Sequence, residues 1–124
     1  FDVAREPLQV LEILIDSGID RILTSGQEES VTEGVELIAQ LIARAANRVI
    51  VMPGAGFTER NVARIVAQTG AREIHVSGST RVDSGMHFRN SHVFMGGKLR
   101  PPEYSRTVTD SGIIKSLRQN CSDA

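Results

Sequence analysis

The sequence has no tryptophan and a single cysteine, and aromatic residues make up only 4% of its 124 positions. A core built from it must be aliphatic. Cys121 has no partner for an internal disulfide and no neighbouring cysteine for a zinc site, which suits a reducing compartment and gives the expectation of a cytoplasmic protein. Long apolar runs are missing too. The longest, Ile13-Leu14-Ile15 and Val49-Ile50-Val51-Met52, fall well short of the about 20 residues that span a bilayer, so no membrane partner is expected. Charge of one sign is not in excess: 14 basic and 15 acidic residues leave a net −1. With the arginines scattered and no basic cluster, nucleic acid is excluded as an expected partner. No basic stretch followed by an apolar core marks a signal peptide. The opening on Phe1 rather than Met gives the expectation that residues precede it. What remains, 40% apolar and 23% charged, reads as one globular domain over residues 1–124, or one piece of a larger one.

Three short runs then stand out: Arg21-Ile22-Leu23-Thr24-Ser25-Gly26, Arg48-Val49-Ile50-Val51-Met52-Pro53-Gly54 and Arg72-Glu73-Ile74-His75-Val76-Ser77-Gly78. Each starts at an arginine, is rich in Ile, Leu or Val, and ends in a glycine-containing loop. Helical patterns lie between them, so the unit of about 25 residues reads as strand, loop and helix, the βα unit of a parallel sheet. One helix follows Pro7, turns Leu8, Leu11, Leu14 and Ile15 inward, and stops at Gly18. A second opens on Ser30 and Glu33 at capping-box spacing and carries Val31, Val35, Ile38, Leu41, Ile42 and Ala45 on one stripe. A third begins after Thr58, buries Val62, Ile65 and Val66, and ends at Gly70. Ser79 to Pro102 reads as irregular, and a last short helix after Asp110 turns Ile113, Ile114 and Leu117 inward.

The fold class is therefore α/β. Both a part of a (β/α)₈ (TIM) barrel and a small doubly wound sheet use such units. The spacing favours the barrel, because the loops after all three runs carry small polar residues that would share one rim.

The candidate site residues lie in those loops. Gly54-Ala55-Gly56, followed by a helix expected near Glu59, can present backbone N–H groups to an anion, or can simply form a tight turn. Thr24-Ser25-Gly26 and Ser77-Gly78 can line a polar rim with hydroxyls, or cap the helix or loop that comes next. Period-two alternation puts His75 and Ser77 on one strand face, with Ile74 and Val76 on the other. His75 would then point inward as a ligand, general base or metal donor, or as a hydrogen-bonded interior histidine. Arg81, after the last run, can clamp a carboxylate or phosphate, or form a rim salt bridge. No serine has an activating base beside it. Met52, Met86, Met95, His75, His87, His92 and Cys121 are the soft or imidazole donors, and no pair has a recognised ligand spacing. Cys121, near the end, is expected in a disordered tail.

Taken in order, Phe1-Asp2, Arg21 to Gln27, Met52-Pro53-Gly54-Ala55-Gly56, Glu73-Ile74-His75, Ser84-Gly85-Met86, Phe88-Arg89-Asn90 and Glu103-Tyr104-Ser105-Arg106 resemble the second half of the CutC family. The resemblance implies a TIM barrel of which the chain holds the last three βα units, beginning just after the fifth strand. In the family a Ser or Cys often follows the matching histidine, whereas Val76 stands here. Asp2 would close the missing fifth strand at the rim, as a base or cation ligand or as a capping acid. The resemblance also implies a role in copper homeostasis, with a copper ion as the bound cofactor. The rival expectation is an enzyme acting on a small anionic metabolite at the strand-end rim, and a third is a scaffold without chemistry. Half a barrel would leave strand edges unpaired, which favours pairing with a second copy as a homo-oligomer.

Overall fold

The computed structural model describes residues 1–96 and 102–122. Along the chain run α1 (Pro7–Asp16), β1 (Arg21–Thr24), α2 (Val35–Ala45), β2 (Ile50–Pro53), α3 (Val62–Thr69), β3 (Ser79–Asp83), β4 (Ser105–Thr109) and α4 (Ser111–Ser122). The class is α/β. β1 and β2 are parallel, with Arg21 opposite Ile50 and Thr24 opposite Pro53. β3 and β4 form a separate antiparallel pair running from Ser79 opposite Thr109 to Asp83 opposite Ser105.

Alternation along β1 and β2 divides two faces. Ile22 and Val51 turn to the helices and join Leu11 of α1 and Leu41 and Ala45 of α2 in one aliphatic cluster. Val31, Ile38 and Ile65 form a second between α2 and α3. Fully burying a side chain of this kind stabilises by about 1.5–3 kcal/mol, so these contacts fix the helices on the sheet. Leu8, expected inward, is 41% exposed. Glu12 ties α1 to the end of α2, bonding Arg48 at 2.8 Å and Arg44 at 2.6 Å.

The third expected strand is not formed. Between Arg72 and Val76 the structure has one isolated parallel bridge, Gly54 to His75, in which the His75 N–H donates to the Pro53 carbonyl at 2.8 Å. No strand among the described residues lies on its far side, so nothing extends the ladder. A side-chain fork holds the segment instead: Arg21 Nε and a terminal guanidinium nitrogen meet the two Glu73 oxygens at 2.8 and 3.0 Å.

Three further expectations are corrected. α2 starts at Val35, because Ser30 and Glu33 bond each other through their side chains and Gly34 packs against the Ser25 carbonyl before the helix begins. The stretch expected to be irregular contains β3, which finds its partner beyond residue 102; residues 97–101 lie outside the described ones. α4 does begin after Asp110, whose Oδ1 accepts the Gly112 and Ile113 amides at 2.7 and 3.2 Å, but it runs on to Ser122 and carries Cys121 half-buried. Among the described residues no helix is long and apolar enough to cross a membrane.

Candidate functional site

The C-terminal ends of β1 and β2 and the bridged segment around His75 open onto one cavity of about 430 Å³. Asp2, Thr24, Ser25, Gly54, Ala55, Gly56, His75 and Ser77 all line it. Gly26, Gly78 and Arg81 do not. Gly26 packs on Gly34, where a Cβ would lie 2.3 Å from the Gly34 carbonyl oxygen, and Gly78 lies under Ile114 of α4. Arg81 stands in β3, exposed, rather than in a rim loop.

One wall is built by Asp2. Its Oδ1 accepts the Thr24 hydroxyl and the Gln27 amide, the latter at 3.2 Å, and its Oδ2 accepts the Ser25 amide at 2.9 Å. The Ser25 hydroxyl stands between two acceptors, 3.1 Å from Asp2 Oδ2 and 2.6 Å from the Glu28 carbonyl, with one proton to offer them. Burial alone would raise the Asp2 carboxyl. The bonds from Thr24, Ser25 and Gln27 outweigh it and hold Asp2 below its ordinary value. The Thr24 hydroxyl also accepts the Gly26 amide at 2.9 Å. Both hydroxyl donors are thus engaged in folding the loop. Asp2 acts here as the organiser of residues 24–27, through bonds to Thr24, Ser25 and Gln27.

The opposite wall is the loop after β2. The Gly54 N–H donates to the Thr24 carbonyl at 2.9 Å, continuing the sheet. Gly54 has to be glycine for space: a Cβ would sit 2.6 Å from Leu23 Cδ1 and 3.2 Å from the His75 Cβ. Ala55 and Gly56 then adopt φ of 79° and 80°. Their carbonyls face into the protein's own bonds, Ala55 accepting the Val31 amide at 3.0 Å and Gly56 accepting Asn61 Nδ2 at 3.0 Å. The Ala55 amide faces the His75 carbonyl as the other arm of the Gly54–His75 bridge, while the amides of Gly56 and Phe57 meet no acceptor among the described residues.

The helix expected to begin near Glu59 begins at Val62. A local turn intervenes, with the Thr58 amide donating to Asn61 Oδ1 at 2.8 Å and the Asn61 amide donating to Thr58 Oγ1 at 3.3 Å. No residue of α3 lines the cavity, so its dipole is no part of the site.

Val76, expected on the face opposite His75 and Ser77, lines the cavity beside both. Period two fails there because the segment is not an extended strand. Leu23 and Phe57 also line it. Leu23 is legible from alternation, being out of phase with Ile22. Phe57 carries no signal beyond its place after the glycine loop.

Copper does not fit this donor set. Among the described residues His75 is the one imidazole at the cavity, and no cysteine or methionine lines it. Among the described residues no group of three or more His, Cys, Asp or Glu could hold a metal ion. Met86 and Met95 are 58% and 82% exposed. Burial pushes the Cys121 thiol up, away from the thiolate that binds metals.

Residues 1–80 match the model of the CutC family. The chain is 46% identical over 123 residues to a mouse protein named copper homeostasis protein cutC homolog, covering 99% of this chain and 45% of that one. It is 47% identical to the human protein of the same name, covering 94% and 43%. A family protein CutC of Parabacteroides distasonis is 46% identical, with 94% and 48% covered. A crystal structure of a CutC protein from Streptococcus agalactiae superposes with a TM-score of 0.51 at 31% identity, covering 55% of this chain and 33% of that one. The chain thus spans less than half the length of these relatives. The order of its helices and parallel strands, the motifs at its strand ends and these likenesses together place the chain in the CutC family.

Proposed function

We propose that the strand-end cavity binds a small organic molecule through a carboxylate or phosphate group, and that β1, β2 and the His75 segment are a sector of a TIM barrel whose rim carries this site. The observation that carries the reading is the loop after β2: two successive amides, those of Gly56 and Phe57, without an acceptor among the described residues, beside carbonyls already engaged elsewhere. Charge-assisted hydrogen bonds contribute about 1.5–3 kcal/mol each, so two or three localise a small anion. Ser77, whose hydroxyl lies 3.2 Å from that of Ser79, and the His75 ring stand at the same cavity as further donors. Leu23, Phe57 and Val76 supply apolar contact for the carbon skeleton. Copper handling, the property in the relatives' name, would draw its ligands from outside this cavity. A cytoplasmic setting suits the single thiol.

Crystals of the full-length protein grown in phosphate test the reading. The expected result is a phosphate within hydrogen-bond distance of the Gly56 and Phe57 amides. Loop carbonyls turned to the cavity, or an anion bound only elsewhere, would overturn it.

A further inference from the structure

The cavity has the loop after β2 on one side and Asp2 on the other. Asp2 takes its hydrogen bonds from neutral groups alone, the hydroxyls and amides of residues 24–27. Among the described residues no lysine or arginine lines the cavity, His75 is the one other titratable side chain there, and no ion pair includes Asp2. A ligand held on the Gly56 and Phe57 amides by an anionic group therefore sits opposite a negative charge.

We propose that Asp2 sets the charge pattern of the ligand, so that the site takes a carboxylate molecule bearing an ammonium group and discriminates against dianions. The inference rests on the anion reading of the loop after β2 and adds the class of molecule. The amides hold the carboxylate, and the ammonium turns toward Asp2, whose neutral hydrogen-bond donors leave its charge in place. A second negative group on the ligand would face Asp2 and be repelled. At contact distance a unit charge pair in water corresponds to about a fivefold change in affinity, and to more where the walls exclude water.

The test needs no substitution at first. Calorimetric titration of the full-length protein with propionate, 3-aminopropionate and malonate compares one carboxylate with an added positive or negative group. The expected order is 3-aminopropionate tightest by about fivefold over propionate, with malonate weakest, and the spread narrowing as salt rises. Asp2→Asn then removes the charge and should collapse the order. Should that variant lose the loop, Thr24→Val, which removes one donor and keeps the carboxylate, should retain the order. Equal affinities for the first two, or tighter binding of malonate, would overturn the inference while leaving the anion site standing. Failure of all three to bind would overturn both.

Discussion

The parallel unit and the antiparallel pair are two kinds of structure in one chain. β1 alternates exposed and buried residues cleanly, and Ile22 and Val51 both enter the cluster built with α1 and α2. β3 and β4 have no buried residue at all. Around them Phe88 and Met95 are 76% and 82% exposed, and the polar contacts are surface ones, Arg89 with Asp83 at 2.7 Å and over the Tyr104 ring at 5.5 Å. Hydrophobic burial specifies the first region; backbone pairing across a long excursion specifies the second.

The sharpest way to break that comparison is to truncate one aliphatic side chain in each unit. Leu41→Ala, at a fully buried position, should cost about 2–5 kcal/mol in denaturant unfolding, the range for cavity-forming substitutions. Val108→Ala, half-buried in β4, should cost under about 1 kcal/mol. Equal costs would contradict the division.

The same contrast governs how much the sequence reveals. The helices and the first two strands announce themselves because a buried face imposes a period on the residues. β3 and β4 impose only a weak one: Thr80, Val82 and Val108 share a half-buried face, with no fully buried residue on either strand, and the partners are remote in sequence. Arg72 to Val76 errs the other way, with the composition of a strand and only one neighbour to pair with. At the site, the loop residues are legible as small polar ends of strands. Their division of labour is not, since it depends on Asp2 meeting Thr24, Ser25 and Gln27 from more than twenty positions away.

Within the parallel unit, the loop after β2 should be the least tolerant part of the rim. Gly56 adopts φ of 80°, and a Cβ there would lie 2.7 Å from the Ser30 Cβ. Gly56→Val should therefore displace the loop from residue 30, destabilising by about 1–3 kcal/mol and abolishing anion binding together. A crystal structure of the variant with the loop unmoved would contradict the packing argument.

Smaller effects separate the surface ties. The Arg48 and then the Arg44 hydrogen bonds lower Glu12 from 4.5 to about 2. A carboxylate depressed on folding contributes stability that is fully present above its ordinary value and is lost as pH falls from 4.5 toward 2. Glu12→Gln should flatten that part of the acid limb in thermal melts across the same window. Glu73→Ala should leave the melting curve almost unchanged, because the pair with Arg21 is exposed. It should speed exchange of the His75 amide several-fold, since that bridge has the fork as its support.

The central claim is that the free amides after β2 receive an anion. Amide chemical shifts of the full-length protein, followed during titration with propionate, test it most directly. The account predicts saturable shifts at Gly56 and Phe57, with Ser25 and Gln27 nearly still because Asp2 already holds them. Shifts absent from residues 56 and 57, or largest at Ser25 and Gln27, would contradict it.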